Sequence, residues 1–405
     1  MSSDQQSTTH NLAPSRLYQI ITIGLAIFSM FFGAGNLIYP IAVGMRSGQH
    51  VLLGVLAFSI TAVLLPLIGI IGMILFDGDY NRFFGRLGTI PGKLGILSCM
   101  IIVGPLVAMP RIVTLSHTMV APFLPLALMQ TITPTSSLIF ALAFLGTTFA
   151  CTYKESRFVD LLGITISPLL LICLLAIIVI GIFTASTPVM IDSSISTVLS
   201  QNFLGGYETL DLLGAIFFSS IALGAIRKSI GTSASKKEQA LTGLYAGLFG
   251  MTLLGLMYAG LSIQGAFHSH GLAGINAGEM FREVSLRVLG TAGGLVIATA
   301  VLMACLSTAM GLATVVGNYV HKIVFKERIC FVSSLLIALA ACLPLSVAGL
   351  GKVLELTAGP IVFIGYPVLI ALTICNIAYK ITGFKPIKLP VTLTFAVALA
   401  IYLLR

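Results

Sequence analysis

From Leu161 to Phe183, and again from Ile329 to Leu345, the chain runs without a charged side chain. Each stretch is close to the roughly 20 residues that a helix needs to cross a bilayer. Of the 405 residues only 9% are charged and 57% are hydrophobic, against about 25% charged in an ordinary soluble domain. So few charges cannot clothe a water-facing surface. Within lipid a spanning segment must satisfy its own backbone, as a helix or as part of a closed barrel. Barrel strands would alternate in segments of about ten residues separated by turns. These runs are continuous, and the chain reads as an all-α polytopic membrane protein.

The apolar runs predict about eleven transmembrane helices, near 17–44, 51–76, 94–124, 136–152, 158–183, 198–226, 240–267, 289–320, 330–348, 354–379 and 389–404. With the N-terminus inside, sixteen Lys and Arg, among them Arg82, Arg157, Lys228 and Lys322, fall on the cytoplasmic side. Five (Arg46, Arg282, Arg287, Lys352 and Arg405) fall on the other. That bias sets the expected orientation, and the odd helix count places the C-terminus outside. The net charge of +9 does not point to nucleic acid, because the basic residues are scattered through short loops. The seven cysteines lack paired spacings and read as free, buried, small hydrophobes. Residues 1–16 form a polar cytoplasmic tail. The apolar run that follows is too long for a cleaved signal peptide and lacks a small-residue cleavage site, so helix one is expected to remain.

Helix one contains FFGAGNLIYP, residues 31–40, whose Gly33, Gly35 and Asn36 are poor helix formers at the expected membrane midplane. Interrupted backbone at that depth is tolerated where protein buries it or where it lines a cavity, and secondary carriers build solute sites in this way. The plainer alternative is a packing notch with a buried Asn. Helix six contains NFLGGYETLDLLG, residues 202–214, with a glycine pair, Glu208 and Asp211 in an otherwise apolar span. An Asp at the centre of a membrane helix costs roughly 2.5–3.5 kcal/mol on insertion scales, so such groups face water, an ion or a basic partner. A helix six that starts at the outer interface would leave Glu208 simply wet.

Helices one and six open two five-helix halves, 17–183 and 198–380, joined by an external linker, 184–197, and followed by one further helix in 381–405. Five helices per half give the halves opposite orientation, and breaks at corresponding positions are the best sequence pointer to a transport site. No clear identity links the halves. Glycines at helical spacing, such as Gly243 and Gly247, read as packing contacts. In helix eight, ACLSTAMG (residues 304–311) offers the Ala304 carbonyl and the Ser307 and Thr308 hydroxyls. Hard cations favour such oxygens, although these hydroxyls also bond their own backbone in membrane helices. Arg111, inside helix three, is expected to pair with Glu208 or Asp211. The alternative is a long side chain reaching back to the interface.

With GPLVAMPRIV at residues 104–113, the segments FFGAGNLIYP, GGYETLDLL and ACLSTAMGL make the chain resemble the branched-chain amino acid:cation symporter family of bacteria, in the family's order and over nearly the whole length. The resemblance implies a five-plus-five inverted-repeat fold with discontinuous helices one and six, in the bacterial cytoplasmic membrane. It further implies import of Leu, Ile or Val with sodium. On this likeness the substrate site comprises Gly33, Ala34, Gly35 and Asn36 with Gly206, Tyr207, Glu208 and Thr209. The amides of Ala34 and Gly35 would receive the carboxylate, and the break near Gly206–Thr209 the ammonium. Asn36 would offer its side-chain oxygen to a cation, and Ser29, Phe32, Ala304, Ser307 and Thr308 would form a second cation site. Arg111 and Asp211 are candidates for coupling or gating. Two departures stand out: members commonly have twelve helices, which bears on oligomer contacts, and Tyr39 stands where sodium-coupled neurotransmitter-type carriers place a gating Arg.

Other classes leave different expectations. Proton coupling would use Asp211 or Glu208, and a non-transporting sensor would bind amino acid without flux. A membrane enzyme fits poorly, since the six histidines form no HExxH pair and no GxSxG site occurs. No cofactor is expected beyond a sodium ion or proton that drives transport.

Overall fold

The structure is a computed structural model. It describes residues 16–154, 158–185, 187–230, 235–272 and 274–404. The N-terminal tail before residue 16, Arg157 and Arg405 lie outside these. Among the described residues every regular element is helical. Eight stretches have the length and apolarity to cross a membrane, and three shorter apolar helices, Arg16–Phe31, Phe331–Val347 and Lys388–Leu403, accompany them.

Span one has two halves, Arg16–Phe31 and Ala34–Ser47. The chain then turns at Gly48 (φ +45°), where a side chain would meet the Val189 carbonyl at 2.1 Å, and continues as span two over 51–75. Spans three to five are Thr89–Phe123, Pro134–Thr152 and 158–184. Span six is likewise split, into Ile195–Gly205 and Asp211–Ile230. Spans seven to eleven are Lys236–His268, Thr291–Val324, Phe331–Val347, Leu350–Thr382 and Lys388–Leu403.

The eleven expected helices are therefore present, with three features that apolarity does not register. Span three bends at Gly104–Pro105 and span ten at Gly359–Pro360, where the glycine leaves helical geometry (ψ −112° and −129°) and proline withdraws an N–H. An amphipathic helix, Ala277–Leu289, follows span seven and carries Glu279, Arg282, Glu283 and Arg287. It is too polar to span, which is why a search for apolar runs passes over it.

Span one lies against span seven at the centre of the bundle, and glycine makes this approach possible. A Cβ on Gly44 would sit 1.9 Å from the Ser262 carbonyl, and one on Gly265 would sit 2.1 Å from that of Ile41. Gly243 and Gly247 make looser contacts, their Cβ positions falling 3.3 Å from Leu223 and 3.1 Å from Ile70. Since lipid supplies no hydrophobic force between helices, such close backbone packing carries the association. Gly265→Ala forces two backbones apart and should cost about 2–3 kcal/mol, within the range for overpacked sites. A detergent-solubilised melting curve should fall by several degrees; an unchanged midpoint would show that the contact can relax.

Candidate functional site

Both breaks arise locally from residues that cannot continue a helix. In span one, Phe32 and Gly33 leave the helix, the Gly33 amide donates to the Phe31 carbonyl at 2.8 Å, and Gly33 is extended (φ −102°, ψ −165°). Thr308 of span eight packs so closely there that a Gly33 Cβ would lie 2.8 Å from its Oγ1. Ala34 and Gly35 open the second half with no preceding turn to accept their N–H groups. In span six a tight turn, Gly206–Thr209, leads to Leu210, whose left-handed backbone (φ +63°, ψ +18°) reverses the path before Asp211 starts the next half. A leucine in this region holds about 1–3 kcal/mol of strain, of a kind that clusters at functional sites.

The glycine pair does not itself make the second break. Gly206 instead lets the turn press on span two, where a Cβ would fall 1.9 Å from Thr61 Oγ1. Tyr207 packs against Tyr366, with 5.1 Å between ring centroids and the rings tilted by 35°. Glu208 is half-buried and faces a recess of about 290 Å³ with Tyr39, Arg46 and Met280. Of the four residues expected around the substrate on span six, Thr209 lines the central cavity, whereas Gly206, Tyr207 and Glu208 are not among its lining residues.

That cavity lies between the two breaks. Gly33, Ala34, Gly35 and Asn36 line it from span one, Arg111 from span three, Thr209 and Asp211 from span six and Thr308 from span eight. Met30, Phe31, Val103, Ile112, Phe218 and Leu312 supply apolar wall. The cavity is small, about 40 Å³. A larger recess of about 570 Å³, lined by Asp160, Lys228 and Lys322 among others, opens on the side of the chain's N-terminal end.

Asp211 is buried, and its carboxylate joins the breaks. It accepts from the Asn36 amide at 3.1 and 2.9 Å and from the Tyr258 hydroxyl at 2.7 Å. The Asn36 amide also contacts the Tyr258 oxygen. The Asn36 side-chain oxygen, expected to face a cation, accepts from the Gly33 amide at 3.2 Å.

Arg111 departs from expectation more sharply. Its Nη1 donates to the Glu208 carbonyl at 2.8 Å and its Nη2 to the Thr209 carbonyl at 3.3 Å. The partner is backbone, not a carboxylate. The tight turn and the reversal at Leu210 strip these two carbonyls of helical donors, and a guanidinium fork matches two adjacent acceptors.

Four candidate cation ligands converge where span eight crosses span one. Ser307 Oγ lies 2.7 Å from the Ser29 carbonyl and 3.0 Å from that of Ala304, and Thr308 Oγ1 lies 3.4 Å from the Ser29 carbonyl. Phe32 is buried in the break, its ring 5.3 Å from Phe28 and 6.2 Å from Tyr258. Among the described residues no group of three His, Cys, Asp or Glu could hold a metal.

Residues 16–404 match the family model described as "Branched-chain amino acid transport protein". This chain belongs to that family. It is 32% identical over 311 residues to the branched-chain amino acid permease BraB of Bacillus subtilis, covering 75% of this chain and 68% of that one. It is also 32% identical over 312 residues to the branched-chain amino acid transport system 2 carrier protein of Pseudomonas aeruginosa, with the same coverage. Among solved structures it is similar to a Na+-coupled sialic acid symporter (TM-score 0.55, 10% identity, 94% of this chain and 88% of that chain). It is similar also to the inward-facing conformation of Mhp1 (TM-score 0.55, 14% identity, 95% and 89%). At such low identity these two speak for the fold, which is the five-plus-five inverted-repeat transporter fold with spans one and six discontinuous. The protein is a multi-pass membrane carrier and not an enzyme.

Two residues of this carrier's site escape sequence reasoning. Tyr258 holds Asp211, and Tyr366 accepts the Leu212 amide at 2.9 Å, satisfying an orphan N–H at the start of the lower half of span six. Their signal is faint: each is a tyrosine well inside an apolar span, where a hydroxyl needs a partner. Tyr366→Phe should destabilise the lower half by about 1 kcal/mol, the net worth of one such bond. Faster hydrogen exchange at Leu212 than in the parent protein would register it.

Proposed function

We propose that this carrier imports leucine, isoleucine and valine across the bacterial cytoplasmic membrane by symport with sodium, its N-terminus facing the cytoplasm. The observation that carries the coupling is the convergence of the Ser307 and Thr308 hydroxyls on the carbonyls of Ser29 and Ala304. These are neutral hard oxygens, the donor type that alkali and alkaline-earth cations prefer. Because span one supplies Ser29 and the break that starts three residues beyond it, a bound ion would steady the same segment that opens the substrate cavity. The apolar wall of Met30, Phe31, Ile112 and Leu312 supports an aliphatic side chain. Discrimination among the three substrates should be loose, since one methylene in an apolar pocket is worth only about 1–3 kcal/mol. The excess of basic residues in loops on the N-terminal side supports the orientation.

A second reading has the buried Asp211 in its favour: proton coupling, with that carboxylate as the carrier group. Uptake of radiolabelled leucine into proteoliposomes separates the two. An inward sodium gradient at equal pH should drive accumulation, with isoleucine and valine competing. If sodium has no effect and an imposed pH gradient drives uptake instead, the sodium reading falls.

A further inference from the structure

Arg111 and Asp211 are 5% and 4% exposed and line one cavity, yet neither belongs to an ion pair among the described residues. Burying a charge without a counter-charge is costly, and two opposite ones facing a shared space invite a ligand that answers both.

Their hydrogen bonding shows which atoms remain. Two arms of the Arg111 fork are spent on the carbonyls of Glu208 and Thr209, but its buried Nε has no partner. Of the partnerless buried side-chain atoms among the described residues, it is the one on this cavity. The guanidinium also reaches the break in span one, where a Cβ on Gly35 would lie 3.2 Å from Nη2. Asp211 accepts three bonds, all from the neutral groups of Asn36 and Tyr258. A carboxylate has about four lone-pair sites, so acceptor capacity is left over, and no basic side chain forms a direct ion pair with it among the described residues.

We propose that Arg111 and Asp211 bind the two ends of the substrate zwitterion: Arg111 Nε, with the amides of Ala34 and Gly35, receives the carboxylate, and the Asp211 carboxylate receives the ammonium. This rests on the reading of the chain as an amino acid carrier. It also moves the ammonium from its expected place, because the carbonyls at the break in span six already accept from a cation and would set the ammonium beside it.

The test uses two analogues that keep the apolar body and one charged end: 4-methylpentanoate, without the amine, and 3-methylbutylamine, without the carboxylate. Each competes with radiolabelled leucine for the purified full-length protein. With one charge-assisted contact at stake, each should bind the parent protein roughly 10- to 100-fold more weakly than leucine. Asp211→Asn should weaken leucine by a similar factor and leave 4-methylpentanoate unchanged, so that the ratio of the two collapses toward one. Arg111→Lys should weaken leucine and 4-methylpentanoate more than 3-methylbutylamine, so that the ratio of leucine to 3-methylbutylamine narrows. Should Asp211→Asn not fold, Tyr258→Phe, which frees one carboxylate oxygen for the ammonium, should shift the ratio the other way, strengthening leucine relative to 4-methylpentanoate. A variant that weakens all three ligands together, or leaves the ratios as they were, overturns the assignment while leucine transport stands. If the parent protein neither binds nor transports leucine, the carrier reading fails and this assignment with it.

Discussion

Arg111→Ala should abolish leucine uptake in cells or proteoliposomes, with protein still inserted in the membrane. The side chain does two things at once: it satisfies the carbonyls of Glu208 and Thr209 and places a positive charge at the substrate cavity. Losing it leaves two buried acceptors without donors, at about 1–3 kcal/mol each. The left-handed turn at Leu210 then loses the side chain that ties its carbonyls to span three. A drop of roughly 3 kcal/mol in the competent arrangement corresponds to more than a hundredfold in rate or affinity. Arg111→Lys should retain a few per cent of activity, since an ammonium is a point charge and cannot present a planar fork to two carbonyls. Uptake is normalised to inserted protein, and unchanged uptake by Arg111→Ala would mean that neither function matters to transport.

The second large effect is expected for Ser307→Ala, alone and with Thr308→Ala. Ser307 touches both carbonyls of the proposed cation site, and Thr308 touches one. At about 1.4 kcal/mol per tenfold, loss of one hydroxyl ligand should raise the sodium concentration for half-maximal uptake about tenfold. Loss of both should raise it about a hundredfold. Leucine uptake at saturating sodium should recover in the single variant, which separates loss of ion affinity from misfolding. Sodium dependence identical to that of the parent protein would remove these hydroxyls from the coupling mechanism.

The two effects act on one piece of structure. Span one is pinned to span seven through Gly44 and Gly265 on one side of its break, to span eight through Ser307, and to span six through Asn36 and Asp211. Ion and substrate would therefore share a single hinge, and occupancy at either place would bias the same segment. That is the physical content of coupling: each ligand stabilises the arrangement that the other needs.

Much of this was legible along the chain because it depends on properties a short stretch carries by itself. Apolarity over about 20 residues makes a span in any surroundings, so eleven helices could be located within a few residues. Gly33, Gly35 and Asn36 interrupt a helix through their own conformational preferences, and so the break in span one was visible too. The second break was visible only approximately: its glycines turned out to serve close packing, and the reversal fell on Leu210, whose left-handed backbone the surrounding contacts impose.

What no stretch of sequence carries is which groups meet. Asp211 finds Asn36 across 175 residues and Tyr258 across 47, and Arg111 passes over two nearby carboxylates to bond two carbonyls. Such choices follow from how far each helix is rotated about its own axis when it packs. In lipid that rotation is decided by the fit between neighbouring helices, so it exists only once all the spans are together.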